Sequence, residues 1–398
     1  MHLNFSETSH NHYFFSQPHQ PFFVLAFITA VLAMLVFLFS YTGILNLAVS
    51  PLNFHIYTFV FLLFTPAFFG FLFTTFPRFS ATPPIEKELY MRVFSFYYIG
   101  ATLVLLGSLA TPIFSALGMF SLFAGHLVGT NHLRKIYHRT TMEETHDLFW
   151  ILTAMQVGVV SHLLFIVTAL FYPPLMRLTI ELSVYGYLFL LTFSVAQRMI
   201  PFFSHVMAVR NEVLMKTLFG LLIAHIILET LYTNSAFIVD FLIALLTGKE
   251  LLRWKLPFPN ANPLLWILHI SLFWIPVAFG LTAIVHLVTW LSGISFLALD
   301  IHILVLGFVL TVMIGFGTRV TIGHSGNPMV VDRWTIVLFY GTQIVVILRI
   351  LLSLIAALGW NFMILFDISA TAWLLLFTGW AIHFFAVLIR GKKLTANS

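Results

Sequence analysis

Apolar residues run through this chain in long blocks separated by short polar breaks. A helix that crosses a bilayer needs about 20 mostly apolar residues. By that measure the pattern predicts twelve spans, over residues 22–44, 54–76, 93–110, 112–130, 148–171, 178–200, 213–231, 235–251, 264–290, 296–318, 334–357 and 361–388. Only Thr111-Pro112 separates the third block from the fourth, and the eighth block is short. The predicted class is all-α: a polytopic bundle of about twelve transmembrane helices, residues 22–390, between tails 1–21 and 391–398.

Charge tests that count independently, because short cytoplasmic loops collect Lys and Arg. Alternate loops hold Arg78, Lys87 and Arg92; Arg134, Lys135 and Arg139; Arg198, Arg210 and Lys216; Lys249, Arg253 and Lys255; Arg319 and Arg333; and Arg390, Lys392 and Lys393. Of the 19 basic residues, only Arg177 falls on the opposite side and only Arg349 inside a span. A miscounted helix would scramble this alternation. The expected topology is multi-pass with both termini cytoplasmic, with the lipid bilayer as the first partner. Residues 1–21 lack the basic start of a signal peptide.

Composition removes whole classes of function. The 398 residues are 60% hydrophobic and only 8% charged. That balance excludes a soluble globule and a nucleic-acid-binding surface. No GxxxxGK[ST] motif occurs and the cytoplasmic loops are short, which excludes nucleotide-driven work by this chain. With no Cys there is no disulfide, thiolate ligand, iron–sulfur cluster or Cys nucleophile. The 17 His outnumber the 14 acids, and imidazole is the commonest protein metal ligand.

Ionisable side chains inside a span are costly to bury, so each is a functional hypothesis. At about 1.5 Å per residue they sort into two depths. Toward the outer face lie His55, His162, His225, His286 and His302, with Glu181, Glu229, Asp240, Asp300 and Asp367. Toward the cytoplasmic face lie His126, His269 and His383, with His205 and His324 at loop edges. For any one of these the bland alternative is a hydrogen bond to a neighbouring helix. Asp300 and His302 stand about 200° apart around a helix and face different neighbours. Gly307, Thr311 and Gly315 form a small-residue packing face.

Three segments stand out: Gln197 to His205, Asn262 to His269, and Gly315 to Pro328, where glycines crowd Arg319 and His324. The last reads either as a capped helix end with a positive-inside Arg, or as an Arg clamp for a carboxylate such as a haem propionate beside a ligating His. His2, His10, His12 and His19 lie in the N-terminal tail with Tyr13, either solvated or weakly metal-binding.

These segments resemble the NnrS family of haem- and copper-containing polytopic membrane proteins linked to nitric oxide resistance. "LDIHILVLGFVLTVMIGFGTRVTIGHSGNPM", Leu299 to Met329, is similar to the family's Leu-His-Ala-Leu-Thr-x-Gly run that ends in Thr-Arg-x-x-x-Gly-His-x-Gly. "NPLLWILHISLFWIPVAFGL" is similar to its Leu-His-x-x-Tyr-x-Trp segment with Phe273 for Tyr, and "QRMIPFFSH" to its Gly-Arg-x-Ile-Pro-x-Phe-Thr. "HQPFFVLAFITAVL" resembles an Arg-Pro-Phe-Phe opening with Gln20 for Arg. The second span departs: where the family has His-x-His-Glu, His55 is followed by Ile56, Tyr57 and Thr58. One His and one Glu that could hold copper are therefore missing, and the chain reads as a divergent member.

The resemblance implies haem as cofactor, with copper left open, nitric oxide or its metal adducts as partner, and a bacterial inner membrane as location. It implies roles for His55, Arg198, His269, His302, Arg319 and His324. Depth then pairs His55 with His302 at one haem iron and His269 with His324 at a second group, with Arg198 and Arg319 on propionates. Two alternatives stay open. A proton-coupled secondary transporter would use Asp300, Glu229, Asp240 and the histidines, although no pair of Gly/Pro-interrupted spans is obvious. A haem–copper respiratory oxidase or nitric oxide reductase core would need an adjacent His-His pair, which is lacking.

Overall fold

The computed structural model describes residues 13–206 and 208–394. His2, His10 and His12, and the end of the 391–398 tail, lie outside them. Among the described residues there are twelve long helices and no strand. They are α1 His19–Tyr41, α2 Pro51–Phe79, α3 Lys87–Ala110, α4 Pro112–Arg139, α5 His146–Leu170 and α6 Pro173–Phe203. Then follow α7 Glu212–Leu231, α8 Phe237–Trp254, α9 Pro263–Ser292, α10 Leu299–His324, α11 Arg333–Ala357 and α12 Met363–Arg390. Eleven are long and apolar enough to cross a membrane; α8, with Asp240, Lys249, Glu250 and Arg253, is the exception. The chain is a polytopic helical membrane protein.

Local chemistry sets the ends. Pro112 follows an extended Thr111 (φ −160°). A residue before proline avoids the helical region, and so α3 and α4 are separate helices. Ser50, Asn211 and Asn262 accept backbone N–H groups at the starts of α2, α7 and α9. Pro21 lies in the first turn of α1, where its missing N–H is no loss, and the Gln17 N–H donates to Gln20 Oε1 at 2.9 Å. The helix therefore opens at His19, three residues earlier than the apolar block alone predicts. Likewise α4 runs on to Arg139, so His132 and His138 are helical rather than in a loop.

Three helices share an irregularity. A π-helical segment interrupts α2 at Thr58–Phe64, α6 at Leu182–Phe189 and α10 at Val305–Leu310. These are the second, sixth and tenth helices, and 83% of each one's apolar window is buried, against 39–61% in the other spans. In α2 the cause is visible. Pro66 cannot donate to the Leu62 carbonyl, which instead accepts from Thr29 Oγ1 of α1 at 2.6 Å. Thr65 Oγ1 then closes the wide turn on Val60 O at 2.8 Å, as Thr311 Oγ1 does on Leu306 O at 3.1 Å in α10.

The chain divides into two compact units: Met1–Glu143 with Gly317–Arg333 and Phe377–Ser398, and Glu144–Phe316 with Trp334–Leu376. The first is organised by aromatic packing of Phe22, Phe69, Phe73 and Tyr97, and by α3 lying so close to α4 that a Cβ on Gly118 would sit 2.7 Å from the Val104 nitrogen. In the second, α9 lies against α10 across the small-residue face: a Cβ on Gly307 would meet Trp274 Cγ at 2.8 Å.

Candidate functional site

Each expected residue is placed within its own unit. In the first, His55 near the start of α2 is half-buried, its ring stacked on Phe37 (centroids 4.3 Å apart) and 4.8 Å from Phe59. The two positions after Ile56 are engaged in the protein: Tyr57 OH lies 3.5 Å from Met119 O, and Thr58 Oγ1 donates to Phe54 O at 2.8 Å. A phenol and a bonded hydroxyl are poor copper donors.

At the end of α10, Arg319 is half-buried and His324 Nδ1 lies 2.8 Å from Gln17 Oε1. An amide oxygen only accepts, so Nδ1 carries the proton and Nε2 the lone pair. The ring of His324 packs at 5.1 Å on that of His19, which is buried at the first turn of α1 with an Nδ1 that makes no hydrogen bond. His19 is thus part of this site rather than of a solvated tail. The loop after α10 is held by the C-terminal residues: Lys393 Nζ donates to the carbonyls of Ser325 (2.8 Å) and Gly326 (3.0 Å), and Leu394 N donates to Asn327 Oδ1 (2.8 Å). His126 packs among Phe61 and Phe69, and His383 Nε2 lies 3.2 Å from Asp332 Oδ2.

In the second unit, His269 is wholly buried in α9, two turns after its Pro263 start. Its Nε2 lies 2.7 Å from Ser204 Oγ, and its Nδ1 makes no hydrogen bond. Two of the three segments singled out from the sequence therefore meet. Arg198 Nη1 pairs with Asp147 Oδ2 at 3.0 Å, and Arg210 holds the same oxygen at 2.6 Å, so Asp147 competes with any carboxylate Arg198 could clamp.

His302 sits on an unusual turn. Leu297 and Ala298 both have left-handed backbones, with φ of 48° and 52°. Such a conformation costs a non-glycine residue about 1–3 kcal/mol. Arg349 of α11 binds the Leu297 carbonyl and Ser353 Oγ. His302 Nδ1 lies 2.8 Å from Ala298 O and 3.2 Å from Arg349 Nη2. A carbonyl demands a donor and a guanidinium an acceptor, so one nitrogen cannot serve both. The shorter contact decides: Nδ1–H donates to Ala298, leaving the lone pair on Nε2. Arg349 is thus the prop of this turn. The depth pairs His55–His302 and His269–His324 each draw one residue from either unit.

Four of the five outer-tier acids, all but Asp367, gather into a ring in the second unit. Arg177 Nε lies 2.8 Å from Glu181 Oε1 and its Nη2 2.7 Å from Glu229 Oε2. His225 bridges Glu181 (3.2 Å) and Asp240 (2.6 Å), and His286 bridges Asp240 (2.9 Å) and Asp300 (3.5 Å) with Glu229 at 3.5 Å. Depth along the helices puts these residues in one tier. The partner that sequence reasoning does not assign to the site is Arg177, although it stands out as the one basic residue on the outer side and lies i,i+4 from Glu181.

The donors present fit haem better than copper. Buried His269 presents a nitrogen without a hydrogen bond. His302 and His324 are held by Nδ1 on oxygen, the usual support of a ligating imidazole. Among the described residues no group of three or more His, Asp or Glu side chains is arranged to hold a metal ion. The family described as NnrS protein matches residues 13–392, and no curated protein matches the chain. That match spans nearly the whole chain, and the order of segments and their placement at helix ends agree with it: the chain belongs to the NnrS family.

Proposed function

We propose that this NnrS-family protein binds haem in the membrane through histidine and serves the nitric oxide response by ligand binding or electron transfer at the iron. The observation that carries the reading is His269: a fully buried imidazole with Ser204 on one nitrogen and no hydrogen bond on the other. Leaving such a group unsatisfied in an apolar interior costs about 1–3 kcal/mol, which a bound ligand would recover. His55, His302 and His324 are the further axial candidates, with Arg198 and Arg319 as propionate partners. Haem would supply an iron that binds nitric oxide or exchanges an electron.

The chain's own residues do the positioning. Ser204, Ala298 and Gln17 orient the three imidazoles, and Asp147 tempers the charge of Arg198. Copper is the weaker part of the cofactor set, because Tyr57 and Thr58 stand where the family pattern has its His and Glu. The Lys/Arg alternation supports an inner-membrane chain with both termini cytoplasmic, the 22–390 domain lying between two short tails.

The test is to purify the protein from haem-replete cells with His269→Ala, His302→Ala and His324→Ala variants. Wild type is expected to give a Soret band and a pyridine-haemochrome yield that falls in at least one variant still monodisperse by size exclusion. A yield unchanged in all three would overturn the assignment of ligands.

A further inference from the structure

Two helix ends that meet in the first unit carry more donor atoms than the protein itself uses. His19, in the first turn of α1, is 2% exposed, and its Nδ1 makes no hydrogen bond. His324, in the last turn of α10, gives its Nδ1–H to Gln17 Oε1 at 2.8 Å and keeps a lone pair on Nε2. The two ring centres lie 5.1 Å apart, with the planes at 57°. Thr321 shares the His324 face of α10, three residues earlier; it is 1% exposed, and its hydroxyl makes no hydrogen bond. Buried polar atoms are nearly always satisfied, so two such orphans at one place ask for a ligand.

Local structure fixes both imidazoles in advance. Ser16 Oγ and the Gln17 N–H donate to Gln20 Oε1 at 3.1 and 2.9 Å, which shapes the turn entering α1, and Gln17 then reaches across to His324. After α10, Gly326 takes a left-handed backbone (φ 67°) that reverses the chain, and Lys393 clamps its carbonyl. The returning segment brings Met329 Sδ to 3.4 Å from where a Cβ on Gly323 would lie. A thioether thus stands at the residue next to His324.

Ring spacing says what kind of ligand fits. With metal–nitrogen bonds of about 2.0–2.1 Å, two imidazoles on one ion at a tetrahedral angle have centres about 5 Å apart. On opposite faces of a haem the same bonds hold them over about 6 Å apart, with a macrocycle between. The observed 5.1 Å matches a bare ion. Donor chemistry then selects the ion. Imidazole suits zinc and copper alike, whereas a thioether favours Cu(I). Arg78 is the charged neighbour of both rings, and a guanidinium repels a divalent ion more strongly than a monovalent one.

We propose that His19 and His324 bind a Cu(I) ion between the first turn of α1 and the last turn of α10, with Met329 as the thioether donor. Binding is coordination by lone pairs already present, and no electron moves. The family pattern that suggests copper points elsewhere, to the second helix, where Tyr57 and Thr58 stand. A filled site occupies His324 Nε2, so the haem reading keeps His269, His302 and His55 as its axial candidates.

Anaerobic titration with Cu(I) against a competing chelator tests this on the purified full-length protein in nanodiscs. The parent carries His2→Ala, His10→Ala and His12→Ala so that imidazoles of the tail do not compete, and the chain has no Cys. The expected result is one Cu(I) per chain. Its affinity should fall by more than about tenfold in His19→Ala and in His324→Ala, since even the loss of a ligand's support costs that much. The pyridine-haemochrome yield of His19→Ala should equal that of the parent. X-ray absorption of the Cu(I)-loaded parent reads the site without either variant, should neither fold: two imidazoles and one sulfur are expected at copper, the sulfur being lost in Met329→Leu. No uptake, an affinity unchanged in the folded variants, or fewer than two imidazoles at copper would overturn the proposal. So would a haem yield that falls in His19→Ala while Cu(I) uptake is unchanged, which would make His19 a haem ligand. A parent without a Soret band would contradict the haem reading alone and leave the copper result standing.

Discussion

Single side chains differ here by how completely the protein has replaced water. Glu229 is buried and accepts from one guanidinium and two backbone amides, so Glu229→Gln leaves Arg177 and those donors short of a charge. Because Arg177 is a third exposed and keeps Glu181, the loss is about 1–3 kcal/mol, that of weakened hydrogen bonds at a buried group. Glu144 pairs with Arg210 at 2.7 Å but is 78% exposed. At such a surface site Glu144→Gln should cost under about 1 kcal/mol. Thermal unfolding followed by size exclusion in detergent checks both, and equal losses would contradict the contrast. Ser204→Ala should leave folding intact and shift the Soret maximum if His269 is an axial ligand, because Ser204 holds the ring's Nε2.

At this scale the sequence tells which residues are unusual but not whom they meet. Depth counting puts His225, His286 and four acids at one level, since a rise of about 1.5 Å per residue needs only helix direction. It cannot close them into a ring, because rotation about each helix axis and packing against neighbours are not written in hydropathy. His19 is hidden for a different reason: a hydropathy block starts at its first apolar residue, whereas Pro21 and the Gln17–Gln20 bond start the helix at His19.

Among the elements, the packing of α9 on α10 depends on Gly307. Gly307→Ala puts a methyl 2.8 Å from Trp274 Cγ. Overpacking of this kind costs about 1–3 kcal/mol. Gly220 in α7 is exposed with nothing within 4 Å of a Cβ. Gly220→Ala should therefore be neutral or stabilising by up to about 1 kcal/mol. The same thermal assay reads both, and an equally tolerant Gly307→Ala would contradict the close approach. The small-residue face of α10 is legible in the sequence because its period matches a helix. The π segments are not: a one-residue slip in hydrogen bonding leaves hydropathy unchanged, and only Pro66 hints at the one in α2.

For the whole molecule the open question is α8, whose four charged residues remove it from the apolar spans although it is an 18-residue helix with Asp240 and Glu250 buried. If α8 crosses, a cysteine introduced at Asn234 and one introduced at Asn260 will be labelled by a membrane-impermeant maleimide from opposite sides of sealed vesicles. Wild type has no Cys to interfere. Labelling from the same side would remove one span and reverse the expected side of every later loop. Twelve helices are legible from the apolar blocks, and the seventeen basic residues gather at alternate ends of them, several, such as Lys249 and Arg253 of α8, within the helix ends rather than in loops.

The central claim is histidine-ligated haem, and the absorption spectrum of the purified protein, oxidised and then reduced, tests it most directly. The account predicts a Soret band that moves on reduction and is altered or lost in His269→Ala. A folded wild-type protein from haem-replete cells with no Soret band in either state would contradict it.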